Sequence, residues 1–189
     1  MNKPEATILA FTLLCLSATA HAQSEEPPPP TIDGLTETLD WLSSQMKSQG
    51  ALSPPYIKGL EQSVLYSLSW HPSRPCKVLI VQHMSRPGGD SKGRGYFSQD
   101  RQYYFNLAQI KSVKKRRSTG SDKLRSIIVK TLSNNVKVTK TSSYMNKDNT
   151  TERFNSRSLK LLFTTDKIAD KAHHELLQAA SICKSLHPS

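Results

Sequence analysis

Between Lys111 and Arg117 the sequence runs Lys-Ser-Val-Lys-Lys-Arg-Arg, five cations in seven positions. Such a run attracts phosphate, sulfate or carboxylate groups, so Lys111, Lys114, Lys115, Arg116 and Arg117 are the candidate anion-binding residues. The plainer alternative is a solvated edge or loop whose charge discourages strand aggregation. Cys76 and Cys183 form a second candidate set. In an oxidising compartment they can pair with each other, and the alternative is two buried free thiols. Neither sits in a C-x-x-C spacing, so they do not propose a metal site.

The remaining reactive types offer less. Beyond His21 the histidines are His71, His83, His173, His174 and His187. His173 and His174 are neighbours on a predicted helix and point about 100° apart, whereas joint chelation from one helix wants positions i and i+4. No H-E-x-x-H occurs. The acidic residues are scattered and offer no paired carboxylates. Ser85 to Gly95 is a glycine-rich basic loop without the Gly-Lys-Ser/Thr ending of a phosphate-binding loop, and it is expected to be a hairpin tip. The expectation is therefore a protein that is not an enzyme, with no cofactor and no metal.

The elements that must position these residues sit in 189 residues, enough for one domain. Lys and Arg outnumber Asp and Glu 26 to 15, a net charge of +11. That excess favours acidic partners, although many exported proteins carry it without one. Residues 1–22 read as a signal peptide: a short charged start, an apolar run from Ile8 to Ala20, and Ala20-His21-Ala22 as the cleavage site. The run is too short to span a bilayer comfortably, so no transmembrane segment is expected after cleavage. The expected location is the periplasm or outside the cell. Residues 23–30, with four consecutive prolines, read as an extended linker. Residues 31–187 are then a single α+β domain.

Within that domain Leu35, Leu39, Leu42 and Met46 recur at helical spacing, so 31–49 is a helix with Thr31 or Asp33 as its cap. Alternation predicts strands at 62–70, 76–84 and 96–107, then at 124–132 and 136–140. Ser133-Asn134-Asn135 reads as a tight turn joining the last two. The polar run 141–158 reads as a long loop. Leu159, Leu161 and Phe163 alternate in a closing strand. Thr164, Thr165 and Asp166 are candidate caps for a helix whose stripe is Ile168, Ala172, Leu176, Ala179, Cys183 and Leu186. The expected fold is an antiparallel meander sheet of about six strands with a helix at each end. The picture is a curled sheet plugged by the C-terminal helix, in the manner of pleckstrin-homology-like domains, and that comparison carries no function.

Several short features together resemble a pattern in uncharacterised exported bacterial small proteins. They are Thr38-Leu39-Asp40-Trp41-Leu42, the strand-opening Cys76, Phe105-Asn106-Leu107 before a turn, and the closing helix ending Ile182-Cys183. The resemblance implies the architecture and the compartment, and no activity. Three functions follow from the sequence. The first is an exported binding protein with a protein partner, within which an inhibitor or immunity-type protein fits the small size and lack of catalytic residues. The second is a binder of an acidic polymer of the envelope through the basic cluster. The third is an enzyme of unrecognised type.

Overall fold

The computed structural model of the chain describes residues 31–48, 63–86, 95–117, 124–144 and 147–186. The expected signal peptide, linker, Pro54-Pro55 loop and most of the glycine-rich loop lie outside the described residues. A helix α1 (Ile32–Ser48) opens the fold and α2 (Asp166–Leu186) closes it. Between them run β1 (Ser63–His71), β2 (Arg74–Arg86), β3 (Phe97–Asn106), a single 3-10 turn (Leu107–Gln109), β4 (Ile110–Arg117), β5 (Arg125–Thr131), β6 (Val136–Tyr144), β7 (Lys147–Ser156) and β8 (Ser158–Phe163). The fold is α+β with antiparallel pairing throughout.

The described strands number eight, and they divide into two sheets. The larger has the order β1-β2-β3-β6-β7 and the smaller β4-β5-β8, with no closed barrel. β5 and β6, expected to be joined by a tight turn, therefore lie in different sheets. The 141–158 stretch, expected as a loop, instead extends β6 and forms β7. Both faces of this hairpin are largely polar, so the apolar alternation that marks a strand is missing. Cross-strand polar pairs take its place. The Thr141 and Thr151 hydroxyls lie 3.3 Å apart, and Lys140 Nζ reaches Glu152 Oε2 at 3.1 Å.

The caps choose among the expected candidates. Gly34 N–H donates to Thr31 Oγ1 at 3.1 Å, and Ile168 N–H donates to Thr165 Oγ1 at 3.2 Å, which makes Thr31 and Thr165 the capping residues. Leu35, Leu39, Leu42 and Met46 are all buried, as the stripe requires. On α2 the buried face is Ala169, Ala172, Leu176, Ala179, Ala180, Ile182 and Cys183. Ile168 and Leu186, assigned to the stripe from spacing, are only partly buried. The two helices pack together. Lys171 Nζ sits 4.4 Å from the Trp41 ring centre, and Ser43 Oγ donates to the Leu68 carbonyl at 3.0 Å. The core thus joins both helices to the apolar half of the larger sheet, where Leu68, Val78, Ile80 and Phe105 are buried. Leu159, Leu161, Phe163, Ile127 and Val129 of the smaller sheet complete it.

Cys76 and Cys183 are bonded, with Cα atoms 5.7 Å apart. The bond ties the start of β2 to the last turns of α2 across 107 residues of chain. No helix among the described residues is long and apolar enough to cross a membrane.

Candidate functional site

The chain passes between the sheets three times, and these passages meet. The first is the 3-10 turn at 107–109, the second is 132–135, and the third is Arg157. Leu132 N–H donates to the Gln109 carbonyl at 2.9 Å, and Thr131 N–H donates to the Arg157 carbonyl at 2.9 Å. Thr131 Oγ1 also donates to the Ser133 carbonyl at 2.6 Å. Arg157 Nε donates to Asn134 Oδ1 at 3.1 Å. Backbone groups that leave one sheet before joining the other are satisfied by each other in this way, as buried backbone requires.

A cleft of about 400 Å³ opens at this seam. Lys111, Lys114, Lys130 and Arg157 line it with Ser112 and Ser158, and none of its described lining residues is acidic. β4 and β5 pair Lys114 with Ile128 and Ser112 with Lys130. Lys114 and Lys130 are therefore diagonal neighbours, with Cα atoms about 7–8 Å apart. The register shifts between Ile110 and Ser112. A bulge there re-aims Lys111, so that it shares the cleft with Ser112 and Lys114 rather than alternating away from them.

The five candidate anion-binding residues are consequently not one patch. β4 is an edge strand, and its period of two separates them. Lys111 and Lys114 face the seam cleft. Lys115 turns to α2 and pairs with Asp170. Arg117 lies on that same side, where its charge and those of Arg125 and Lys115 act on Asp166. The hydrogen bond from Arg125 is the main reason that the Asp166 carboxyl is held below the usual carboxylate range. Arg125 Nη2 reaches Asp166 Oδ2 at 2.9 Å. Arg116 is exposed, and alternation puts it on the Lys114 face. Lys130 and Arg157 were missed in the sequence. The signal that could have found Lys130 is the pairing of two adjacent strands, each with a lysine turned away from the core. Arg157 gave no such signal, since its surroundings read as loop.

Three of the histidines among the described residues, His71, His83 and His173, have hydrogen-bond partners. His173 Nε2 meets the Val113 carbonyl at 3.1 Å, His83 Nδ1 meets Asp100 Oδ1 at 2.6 Å, and His71 Nδ1 caps the Ser73 amide at 3.2 Å. Among the described residues no three or more His, Cys, Asp or Glu side chains gather as metal ligands do. Gly89-Asp90-Ser91-Lys92-Gly93 has the G-x-S-x-G spacing of a nucleophile elbow. That segment lies outside the described residues. Ser-x-x-Lys spacings also occur at Ser44–Lys47, Ser112–Lys115 and Ser181–Lys184. Alternation sends the second pair to opposite faces of β4, and the other two pairs lie exposed on α1 and α2.

Comparison with known proteins gave no match: no family model, no curated protein and no solved structure matches this chain.

Proposed function

We propose that this chain is an exported, non-enzymatic binding protein whose ligand is an acidic polymer, held at the seam cleft by Lys111, Lys114, Lys130 and Arg157. The observation that carries the reading is the convergence of four cations from two strands and a crossing, with no acidic residue among the described lining. No salt-bridge partner offsets these four among the described residues, in contrast to Lys115 with Asp170. Like charges held this close repel, and an anion that enters relieves the repulsion. The cleft is open and its cations are long and exposed, which suits a repeating phosphate or sulfate chain better than one enclosed small molecule. The Cys76–Cys183 bond supports an oxidising compartment, as the expected signal peptide does.

Binding of fluorescently labelled polyphosphate tests this. The expected result is saturable binding that weakens steeply as salt rises from about 0.05 to 0.5 M, because screening shortens the reach of each charge. The double substitution Lys111→Glu with Lys130→Glu abolishes it. Salt-insensitive binding, or binding that survives the double substitution, rejects the reading.

A second reading, a protein partner of the inhibitor or immunity type, is favoured by the outer face of the larger sheet. Leu65 and Tyr104 are exposed there, and Ser69, Trp70, Leu79 and Tyr104 line a hollow of about 490 Å³. Purification from native cells under cross-linking separates the two readings. Recovery of no protein partner counts against the second.

A further inference from the structure

The two sheets face each other across a second, smaller cleft. Lys160 and Leu162 of β8 alternate with the buried Leu159, Leu161 and Phe163, and they line this cleft of about 240 Å³ together with residues of β1, β2 and β3. The inner face of the larger sheet changes character as it enters the cleft. One cross-strand row reads Leu68, Ile80, Tyr103, Val138. The next reads Tyr66, Gln82, Arg101, Lys140. An inner sheet face is normally apolar, so a polar row here needs a reason.

The polar row is held in place. Gln82 is 8% exposed. Its amide donates to Tyr66 Oη at 3.2 Å, and its carbonyl accepts from Tyr103 Oη at 3.1 Å. Arg101 Nε donates to Gln99 Oε1 at 2.8 Å, and Gln99 Nε2 donates to Ser142 Oγ at 3.0 Å. The network fixes the Arg101 guanidinium through one nitrogen and keeps its two Nη groups for another acceptor. Arg101 and Lys160 have no carboxylate partner among the described residues, and no described residue lining the cleft is acidic. Val64, Met84 and Leu162 supply apolar wall.

We propose that this inter-sheet cleft binds a small organic anion with a short apolar body, of the alkyl phosphate or alkyl carboxylate class. Its charge lies between Arg101 and Lys160, and its chain lies against Val64, Met84 and Leu162. A cleft of this size is smaller than most drug-sized sites, about 300–1,000 Å³, so the ligand is short. Part of the argument is electrostatic: partly buried cations without a counterion are costly, and a bound anion removes that cost. The rest is chemical. A planar guanidinium with free Nη groups suits two oxygens of a phosphate or carboxylate. The proposal stands independently of the acidic-polymer reading, which uses other residues.

Calorimetric titration with octyl phosphate tests it, with inorganic phosphate and octanol as the two halves of the ligand. The expected result is saturable binding of octyl phosphate at least about tenfold tighter than either half, which corresponds to both charge and chain contributing. Arg101→Met and Lys160→Met each weaken it by about tenfold or more. Arg101→Lys weakens it less than Arg101→Met, and Lys137→Gln on the exposed outer face leaves it unchanged. Should Arg101→Met fail to fold, Lys160→Met on the partly exposed lysine carries the decision. No saturable octyl phosphate binding overturns the proposal. Binding that both Arg101→Met and Lys160→Met leave intact overturns it equally, as does association with anionic vesicles but not with octyl phosphate in solution.

Discussion

The Thr131 amide donates to the Arg157 carbonyl at 2.9 Å, and this bond fastens the second crossing between the sheets to the third. The Thr131 side chain is buried and repeats the link, since its hydroxyl lies 3.3 Å from the same Arg157 carbonyl, and it also reaches the Ser133 carbonyl of its own crossing at 2.6 Å. The cationic cleft is thus built on a seam rather than on a flexible strand end. Lys111 follows one crossing, Lys130 precedes another, and Arg157 is itself the third.

Thr131→Val keeps the shape and removes the hydroxyl. The Ser133 carbonyl then loses one of its two donors and keeps the Asn135 N–H at 2.7 Å, at a cost of about 0.5–1.5 kcal/mol. Urea unfolding should show a lower midpoint with an unchanged slope. The polymer affinity should fall as well, because the cleft loses its fixed geometry. A midpoint identical to that of the parent would show that the hydroxyl is dispensable.

The bond between Cys76 and Cys183 closes 107 residues of chain. In the chain-entropy account, closing a loop of that length stabilises the fold by about 4–5 kcal/mol. Cys183 is fully buried and Cys76 nearly so, so the paired substitution Cys76→Ala with Cys183→Ala also loses some packing. The variant should unfold at lower urea than the oxidised parent and should no longer respond to reductant. The parent should fall towards the variant when reduced. Equal stability with and without reductant would remove the bond from the account.

Asp166 gives a pH dependence with a definite sign. Its carboxyl is held below the usual carboxylate range, first by the hydrogen bond from Arg125 and then by the charges of Arg125, Arg117 and Lys115. A carboxyl depressed by folding stabilises the fold at pH values above its unfolded pKa, about 4, and loses that contribution as the pH falls through its lower folded value. Asp166→Asn should therefore be less stable than the parent at pH 7, and the gap should close under acid. The group is exposed, so the gap is small. Thr165 still caps the helix in the variant, which separates the charge effect from loss of the cap. A gap that is constant with pH would mean that the ion pair with Arg125 contributes nothing.

Much of the architecture was legible because burial leaves a periodic trace. Leu35, Leu39, Leu42 and Met46 announce α1, and Leu159, Leu161 and Phe163 announce β8. The division into two sheets left no such trace. β5 and β6 each alternate correctly, and nothing in Ser133-Asn134-Asn135 tells a tight hairpin from a crossing. β7 was illegible for a different reason: neither of its faces is apolar, so Thr150, Thr151 and Glu152 look like loop. The basic cluster was visible as composition, but its division was not. Alternation sends Lys114 and Lys115 to opposite faces in any strand, but a run as charged as Lys-Ser-Val-Lys-Lys-Arg-Arg carries no apolar alternation to mark 110–117 as one. The bulge that turns Lys111 beside Lys114 depends on pairing with β5, which the sequence does not show.

That division supplies the sharpest test of the binding reading. Lys114 and Lys115 are adjacent, of one type and both exposed, so composition treats them alike. Lys114 lines the seam cleft with Lys130. Lys115 meets Asp170 on the α2 side, and its charge is already offset. Lys114→Glu should weaken polyphosphate binding by about tenfold, from loss of one favourable contact and gain of a repulsive one beside Lys130. Lys115→Glu changes the net charge equally but acts on the far face, where it meets Asp170. Its effect on binding should be small, and its cost should show instead in the unfolding midpoint, by up to about 1 kcal/mol. Equal loss of binding in the two variants would mean that the polymer responds to net charge alone, and the cleft would then not be its site.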